Sequence, residues 1–157
     1  MKIAIGSDFS GFRLKEVLKK HLVSKGFLVD DLGQTAEDDK IIYVDVAKKV
    51  AGEVSNKNYE RAVLICGTGA GVCITANKYK GVYAMVCEGS VAAERCKVIN
   101  NANVICFGEN MICYQQAMNA LDAWLNTPYL NGFPEERKTM LNSAFGRLQT
   151  IEDENFK

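Results

Sequence analysis

Five short apolar runs alternate along the chain with segments whose apolar residues recur every three or four positions. The first run, residues 2–7, carries β-branched side chains and predicts a strand. Asp8-Phe9-Ser10-Gly11 breaks it. Phe12, Leu14, Val17, Leu18, His21 and Leu22 then fall at helical spacing, and Gly26 stands where a helix ends. Residues 27–31 predict a second strand, and 33–40 a polar loop. Residues 43–54 predict a helix with Val46, Ala47, Val50 and Val54 on one face. The third strand is expected at 62–66, followed by a helix over 72–80 that Gly81 closes. Strand 82–87, helix 91–98, strand 103–107 and an amphipathic helix over 111–125 complete the alternation. Pro134, followed by Glu135 and Glu136, opens a last helix that should run to about Leu148.

This order predicts an α/β fold. The third to fifth strands are apolar throughout, as parallel strands covered on both faces are. The expected architecture is a doubly wound five-stranded parallel sheet with an extra C-terminal helix, as one domain over 1–150 and an acidic mobile tail over 151–157. Ligands of such sheets bind outside the carboxyl ends of the strands. That brings residues 7–11, 66–71 and 107–110 together.

Composition narrows the partners. The 157 residues are 48% hydrophobic and 24% charged, with 19 Lys+Arg against 19 Asp+Glu and a net charge of zero. No like-charge block points to nucleic acid or to an anionic membrane. The six cysteines form no C-x-x-C pair, and the N-terminal run resembles neither a signal peptide nor a membrane span. The expectation is a cytoplasmic protein with free thiols. His21 is the single histidine and lies in a predicted helix, so no metal and no cofactor is expected.

The chemistry concentrates after the third strand, in Cys66-Gly67-Thr68-Gly69-Ala70-Gly71. Glycines at alternate positions let a ligand approach the backbone, and the N–H groups that open a helix lack partners within it. An anion is stabilised there, and so is a thiolate. On spacing alone, Cys66 is a nucleophile, a general base or a buried residue that ends a strand. The turn is neither a Walker motif nor G-x-G-x-x-G.

The same stretch, with Ala76-Asn77-Lys78 after it, resembles the signature of the ribose-5-phosphate isomerase B / galactose-6-phosphate isomerase family of sugar-phosphate isomerases. Residues 3–8, Asp31-Leu32-Gly33, Asn100-Asn101-Ala102-Asn103-Val104, Phe107-Gly108 and Ala123-Trp124-Leu125 extend the resemblance. It implies a Rossmann-like sheet, a homodimer or homotetramer with sites at the dimer interface, and metal-free aldose–ketose isomerisation through a cis-enediolate. Cys66 would be the base. Thr68 and the N–H groups of Gly67, Gly69, Ala70 and Gly71 would hold the enediolate oxygen. Asp8 and Tyr43 would contact substrate, Asn100 would reach in from a neighbouring subunit, and Arg137 would remain from a phosphate site. The nominal substrate is ribose 5-phosphate.

Several positions depart from that family. Phe9 and Ile99 stand where histidines are usual, Val44-Asp45 follow Tyr43 in place of Pro-His, Asn110 replaces an arginine, and Phe133-Pro134 replace an Arg-His pair. These changes weaken the expected phosphate cradle and leave Asp45 and Lys97 as candidates for ring opening. The alternatives are a hexose 6-phosphate, an acidic or a free sugar as substrate, or a weakly active family member that serves as a sugar-binding partner subunit.

Overall fold

The apolar runs pair side by side and in parallel. The computed structural model describes residues 1–156. β1 (Lys2–Ser7), β2 (Leu28–Asp31), β3 (Arg61–Cys66), β4 (Ala84–Val86) and β5 (Val104–Gly108) form one sheet in the order β2-β1-β3-β5-β4. Six helices connect or extend the strands: α1 (Phe12–Ser24), α2 (Tyr43–Ser55), α3 (Ala70–Ala76), α4 (Ser90–Asn100), α5 (Tyr114–Asn126) and α6 (Glu135–Asn155). Leu14, Leu18, Leu22, Ala93, Leu121 and Trp124 bring α1, α4 and α5 onto one face of the sheet. Val46, Val50, Val54, Val72 and Ala76 bring α2 and α3 onto the other. Both faces are therefore dry, which explains the unbroken apolar runs of β3 and β5.

The boundaries of β4, α3 and α5 differ from the sequence expectation, each for a local reason. β4 is shorter than 82–87, because the Tyr83 N–H donates to the Asn103 side chain at 2.8 Å. α3 starts at Ala70, two residues earlier than expected, because Gly69 takes the left-handed conformation (φ +76°) and turns the chain into the helix at once. It stops at Ala76 rather than near 80. The amide of Asn77 turns to the sheet edge, accepting from the Ala84 N–H at 2.8 Å and donating to the Ala84 carbonyl at 2.9 Å. α5 begins at Tyr114, because the N–H groups of Glu109, Asn110 and Met111 bond back to Cys66, Gly67 and Gly108 as a turn.

A further difference concerns the tail expected over 151–157, of which Lys157 lies outside the described residues. Residues 150–155 are helical and continue α6. Glu152 accepts from the Gly81 N–H at 2.6 Å and from the Tyr83 hydroxyl at 3.0 Å, and Asp153 pairs with Lys80 at 2.6 Å. The acidic residues that suggested a mobile segment are the groups that dock it. Phe145 meets Tyr83 edge-on, with ring centroids 5.1 Å apart. α6 nevertheless buries none of its residues fully, and Met140, Leu148 and Ile151 face outward.

Lys15 is fully buried where α1 crosses β2. Its ammonium bonds to Asp31 at 2.7 Å and Glu16 at 2.9 Å, and also to the Gln34 carbonyl. Burial pushes Asp31 up, but hydrogen bonds from Lys15 and Lys19 outweigh it and hold the carboxyl below its ordinary range. Lys15→Met should cost about 3–5 kcal/mol, because it leaves Asp31 charged and underpaired. Urea unfolding at neutral pH measures this. Asp31 is depressed in the folded state, so its contribution is present at neutral pH and fades as pH falls through the acid range. The gap between wild type and variant should narrow there.

Candidate functional site

The chain reverses its direction of strand addition between β1 and β3. The loop after β1 leads to α1 on one face, and the loop after β3 leads to α3 on the other. A crevice opens between the two strand ends. Asp8 lies on one side and Cys66 on the other, with Ser7 in register with Ile65. The walls are close. A Cβ on Gly11 would sit 2.8 Å from the Ile65 carbonyl carbon and 2.9 Å from the Cys66 nitrogen.

Cys66 is 4% exposed. Its sulfur accepts the Gly69 N–H at 3.1 Å, so the turn folds back over the thiol. Gly69 must be glycine on two counts. Its φ is +76°, and a Cβ would come within 2.9 Å of the Phe107 carbonyl carbon. The Thr68 hydroxyl is exposed on the rim and accepts the Ala70 N–H at 3.3 Å. Tyr43 opens α2, and its ring covers Gly71, where a Cβ would meet it at 2.8 Å. Asn110 and Ser10 flank Gly67, with the Asn110 amide nitrogen 3.4 Å from where a Cβ would be. α3 spans only seven residues, so the N–H groups of the turn matter here more than a long helix dipole.

Asp8 closes the opposite wall. Its Oδ1 accepts the N–H groups of Ser10 at 2.9 Å and Gly11 at 3.0 Å, capping the short 3-10 turn Phe9–Gly11. Burial raises this carboxyl, the two N–H bonds lower it, and the nearby Glu109 carboxylate raises it again; the net direction is up. Outside Asp8, a cavity of about 410 Å³ is lined by Phe9, Glu37, Asp38, Asp39 and Lys40. Arg13 is tied to Glu37 at 2.8 Å. The lining of this cavity is acidic on balance.

With this geometry the comparisons with known proteins are informative. Residues 3–141 match the family described as Ribose/Galactose Isomerase. The chain belongs to that family. It is 37% identical over 157 residues to the 4-deoxy-4-sulfo-D-erythrose isomerase of Clostridium sp. (strain MSTE9), covering 100% of this chain and 99% of that one. It is 42% identical over 132 residues to a ribose-5-P isomerase B of Listeria innocua, covering 84% and 88%. Among solved structures, the ribose-5-phosphate isomerase B of Clostridium thermocellum superposes with a TM-score of 0.89 at 33% identity, covering 98% and 99%. The relatives are isomerases, and the five-stranded parallel sheet is that of the solved structures.

Within one chain, the isomerase fold gathers Asp8, Tyr43, Cys66, Gly67, Thr68, Gly69, Ala70 and Gly71 at the carboxyl edge. Asn100 and Arg137 are elsewhere. α4 runs back against the strands, so Asn100, its last residue, is at the amino edge. Trp124 near the end of α5 bonds to the Ala102 carbonyl, and the Leu130 N–H to the Val98 carbonyl, which seats the start of α6 at that same edge. The five residues of β5 separate the two edges by about 15 Å at roughly 3.3 Å per residue. Lys97 is also at the amino edge, buried against Asn101, with its ammonium pushed down to about 8 by burial and by Arg61. It does not reach Cys66. Asp45 lies exposed in the first turn of α2, near the mouth.

Sequence reasoning placed Ser10 and Glu109 within the converging segments 7–11 and 107–110 but gave neither a role. A charged residue directly after an apolar strand, at the ligand-binding edge, was the available signal for Glu109. For Asp8, a folded pKa above the unfolded one means that stability is lost as pH rises through the folded value. Asp8→Asn keeps the acceptor for Ser10 and Gly11 and removes the buried charge. It should raise the melting temperature at pH 7, with the advantage vanishing below about pH 4, where a free Asp is also protonated. Calorimetry at the two pH values checks this.

Proposed function

We propose that this protein is an aldose–ketose isomerase of a short anionic sugar, nominally ribose 5-phosphate to ribulose 5-phosphate, with Cys66 as the base. The observation that carries the reading is the Gly69 N–H aimed at the Cys66 sulfur, in the crevice that Asp8 closes. In this reading the Cys66 thiolate takes the proton from C2 of the open-chain aldose. The electron pair moves to the C1–C2 bond, and the carbonyl oxygen at C1 becomes an enediolate oxygen. Thr68 and the N–H groups of Gly67 and Gly71 hold that oxygen while the Gly69 N–H stays on the sulfur; losing one such donor typically costs about 3–4 kcal/mol. The O2 proton passes to O1, the electron pair left on O2 forms the C2 carbonyl, the C1–C2 double-bond electrons take the thiol's proton at C1, and the ketose and the thiolate result. Tyr43 lines the pocket, and Asp8 binds substrate hydroxyls.

The anionic end of the substrate is held by Arg137 and Asn100 of a second copy. Two facts support this: both residues are at the amino edge of their own sheet, and the cavity beside Phe9 at the carboxyl edge is acidic. The outward apolar residues of α6, Met140, Leu148 and Ile151, suit a contact between copies. We read the protein as a homo-oligomer on this ground.

One observation favours a second substrate. A phosphate monoester approaches two negative charges at neutral pH, whereas a sulfonate carries one. Glu37, Asp38, Asp39 and Glu109 oppose a dianion more than a monoanion. One relative matched over the whole chain, α6 included, is named for a four-carbon sulfosugar, and a ribose-5-phosphate isomerase B structure covers 98% of the chain as well. A four-carbon sulfonated aldose is therefore the alternative, ahead of a free sugar.

Cys66→Ala should lower exchange of the substrate C2 proton with deuterated water by at least about 100-fold, the usual contribution of a general base. Proton NMR reads this on ribose 5-phosphate, erythrose 4-phosphate and 4-deoxy-4-sulfo-erythrose in parallel. Full exchange in the variant removes Cys66 from the base role. If the pure wild type is inactive on every aldose, the reading as a partner subunit replaces that of an enzyme. A second measurement concerns the shared site. Cys66→Ala and Arg137→Ala should each be inactive alone, and mixing them after mild unfolding and refolding should restore part of the activity.

A further inference from the structure

We propose that Glu109 is a positioning residue of this site: it ties the ends of β3 and β5 to the first turn of α1 and holds Asp8 in one frame with Cys66. The inference rests on the isomerase reading for its consequence in turnover, and on geometry for its substance. Glu109 is the first residue past β5. Its N–H donates to the Cys66 carbonyl at 2.9 Å, extending the β3–β5 pairing by one bond beyond Gly108. Its side chain turns the other way. Oε2 accepts the Leu14 N–H at 2.9 Å, across 95 residues of sequence.

α1 needs that acceptor. Gly11 stands at its cap with no side-chain bond, and no acidic residue lies in its first turn. A free N–H there would be an orphan donor beside a dry core. Glu109 satisfies it with a carboxylate at the positive end of a 13-residue helix. The same carboxylate faces Asp8 and opposes its ionisation. The other titratable groups around the pair are Arg13 on α1, drawn to both Glu37 and Glu109, and the Tyr114 phenol at the start of α5, near Arg13. One residue thus braces the thiol's strand, caps the helix after Asp8 and sets the charge that Asp8 feels.

The test compares Glu109→Gln with Glu109→Ala in the full chain. Glu109→Gln keeps an oxygen for Leu14 and removes the charge. The Asp8 carboxyl, followed by carbon-13 NMR, should titrate at lower pH than in wild type, with Leu14 still protected from hydrogen exchange. Glu109→Ala should show the same titration shift, and Leu14 should exchange roughly tenfold faster, as loss of a hydrogen bond to a charged acceptor predicts. In turnover, the acid limb of kcat/KM should move to lower pH in both variants, with kcat falling more in Ala than in Gln. Unchanged titration of Asp8 in both variants, or full protection of Leu14 in Glu109→Ala, overturns the proposal. Should Glu109→Ala fail to fold, the Asp8 titration in Glu109→Gln decides alone. A wild type that isomerises no sugar refutes the functional reading, while titration and exchange still judge Glu109.

Discussion

The five-residue parallel pairing of β1 with β3 is the constraint on which the site depends. Each strand then feeds a helix on a different face of the sheet, so their ends cannot be covered by one connection. The gap between them is where backbone N–H groups point at open space. Its width is set by contacts that admit no side chain. Gly11 lies against Ile65 and Cys66, Gly69 against Phe107, and Gly108 against the Thr68 carbonyl. A Cβ at any of the three would meet backbone atoms, which cannot give way. The glycines therefore do more than free a loop. They let β3, β5 and the start of α1 approach closely enough for one thiol to meet a turn of donors.

Charge is distributed with a similar economy. The fully buried Lys15 satisfies two carboxylates and a carbonyl, and so anchors α1 to β2 away from the crevice. Within the crevice the balance is reversed. Asp8 and Glu109 are two carboxylates brought close, with Arg13 as the nearby cation and Glu37 competing for it. Such crowding opposes folding and is tolerated where chemistry uses it. In the proposed reaction it keeps hydroxyl-binding oxygens beside the base.

The two edges of the sheet carry complementary halves. The carboxyl edge has the thiol, the turn and the acidic rim. The amino edge has Asn100, Arg137 and the long, weakly covered α6. Arg137 is not idle there: its guanidinium stacks 4.5 Å from the centre of the Phe133 ring, which holds it extended. In the proposed function, the cation held outward at one end of one copy meets the thiol at the other end of a second copy. The cation also bears on substrate choice, because a single stacked arginine suits a compact monoanion at least as well as a dianion.

Much of this was legible in the residues. Alternating apolar runs determined the five strands and the parallel class, because strands covered on both faces have no polar side. Cys66-Gly67-Thr68-Gly69-Ala70-Gly71 determined where a thiol and free N–H groups would meet, because that geometry is local. Tertiary structure decided the rest. The strand order, and with it the facing of Asp8 and Cys66, depends on pairing between residues some 60 positions apart. The extension of α6 to Asn155 was decided by Gly81, Tyr83 and Lys80, which are distant in sequence from Glu152 and Asp153. The role of Glu109, as against its place at the ligand-binding edge, was hidden for the same reason: its partner, the Leu14 N–H, lies 95 residues away. The sequence by itself determined the chemistry of the turn after β3. Only the fold decided which groups face it and which lie at the far edge, because those contacts join residues that no local pattern connects.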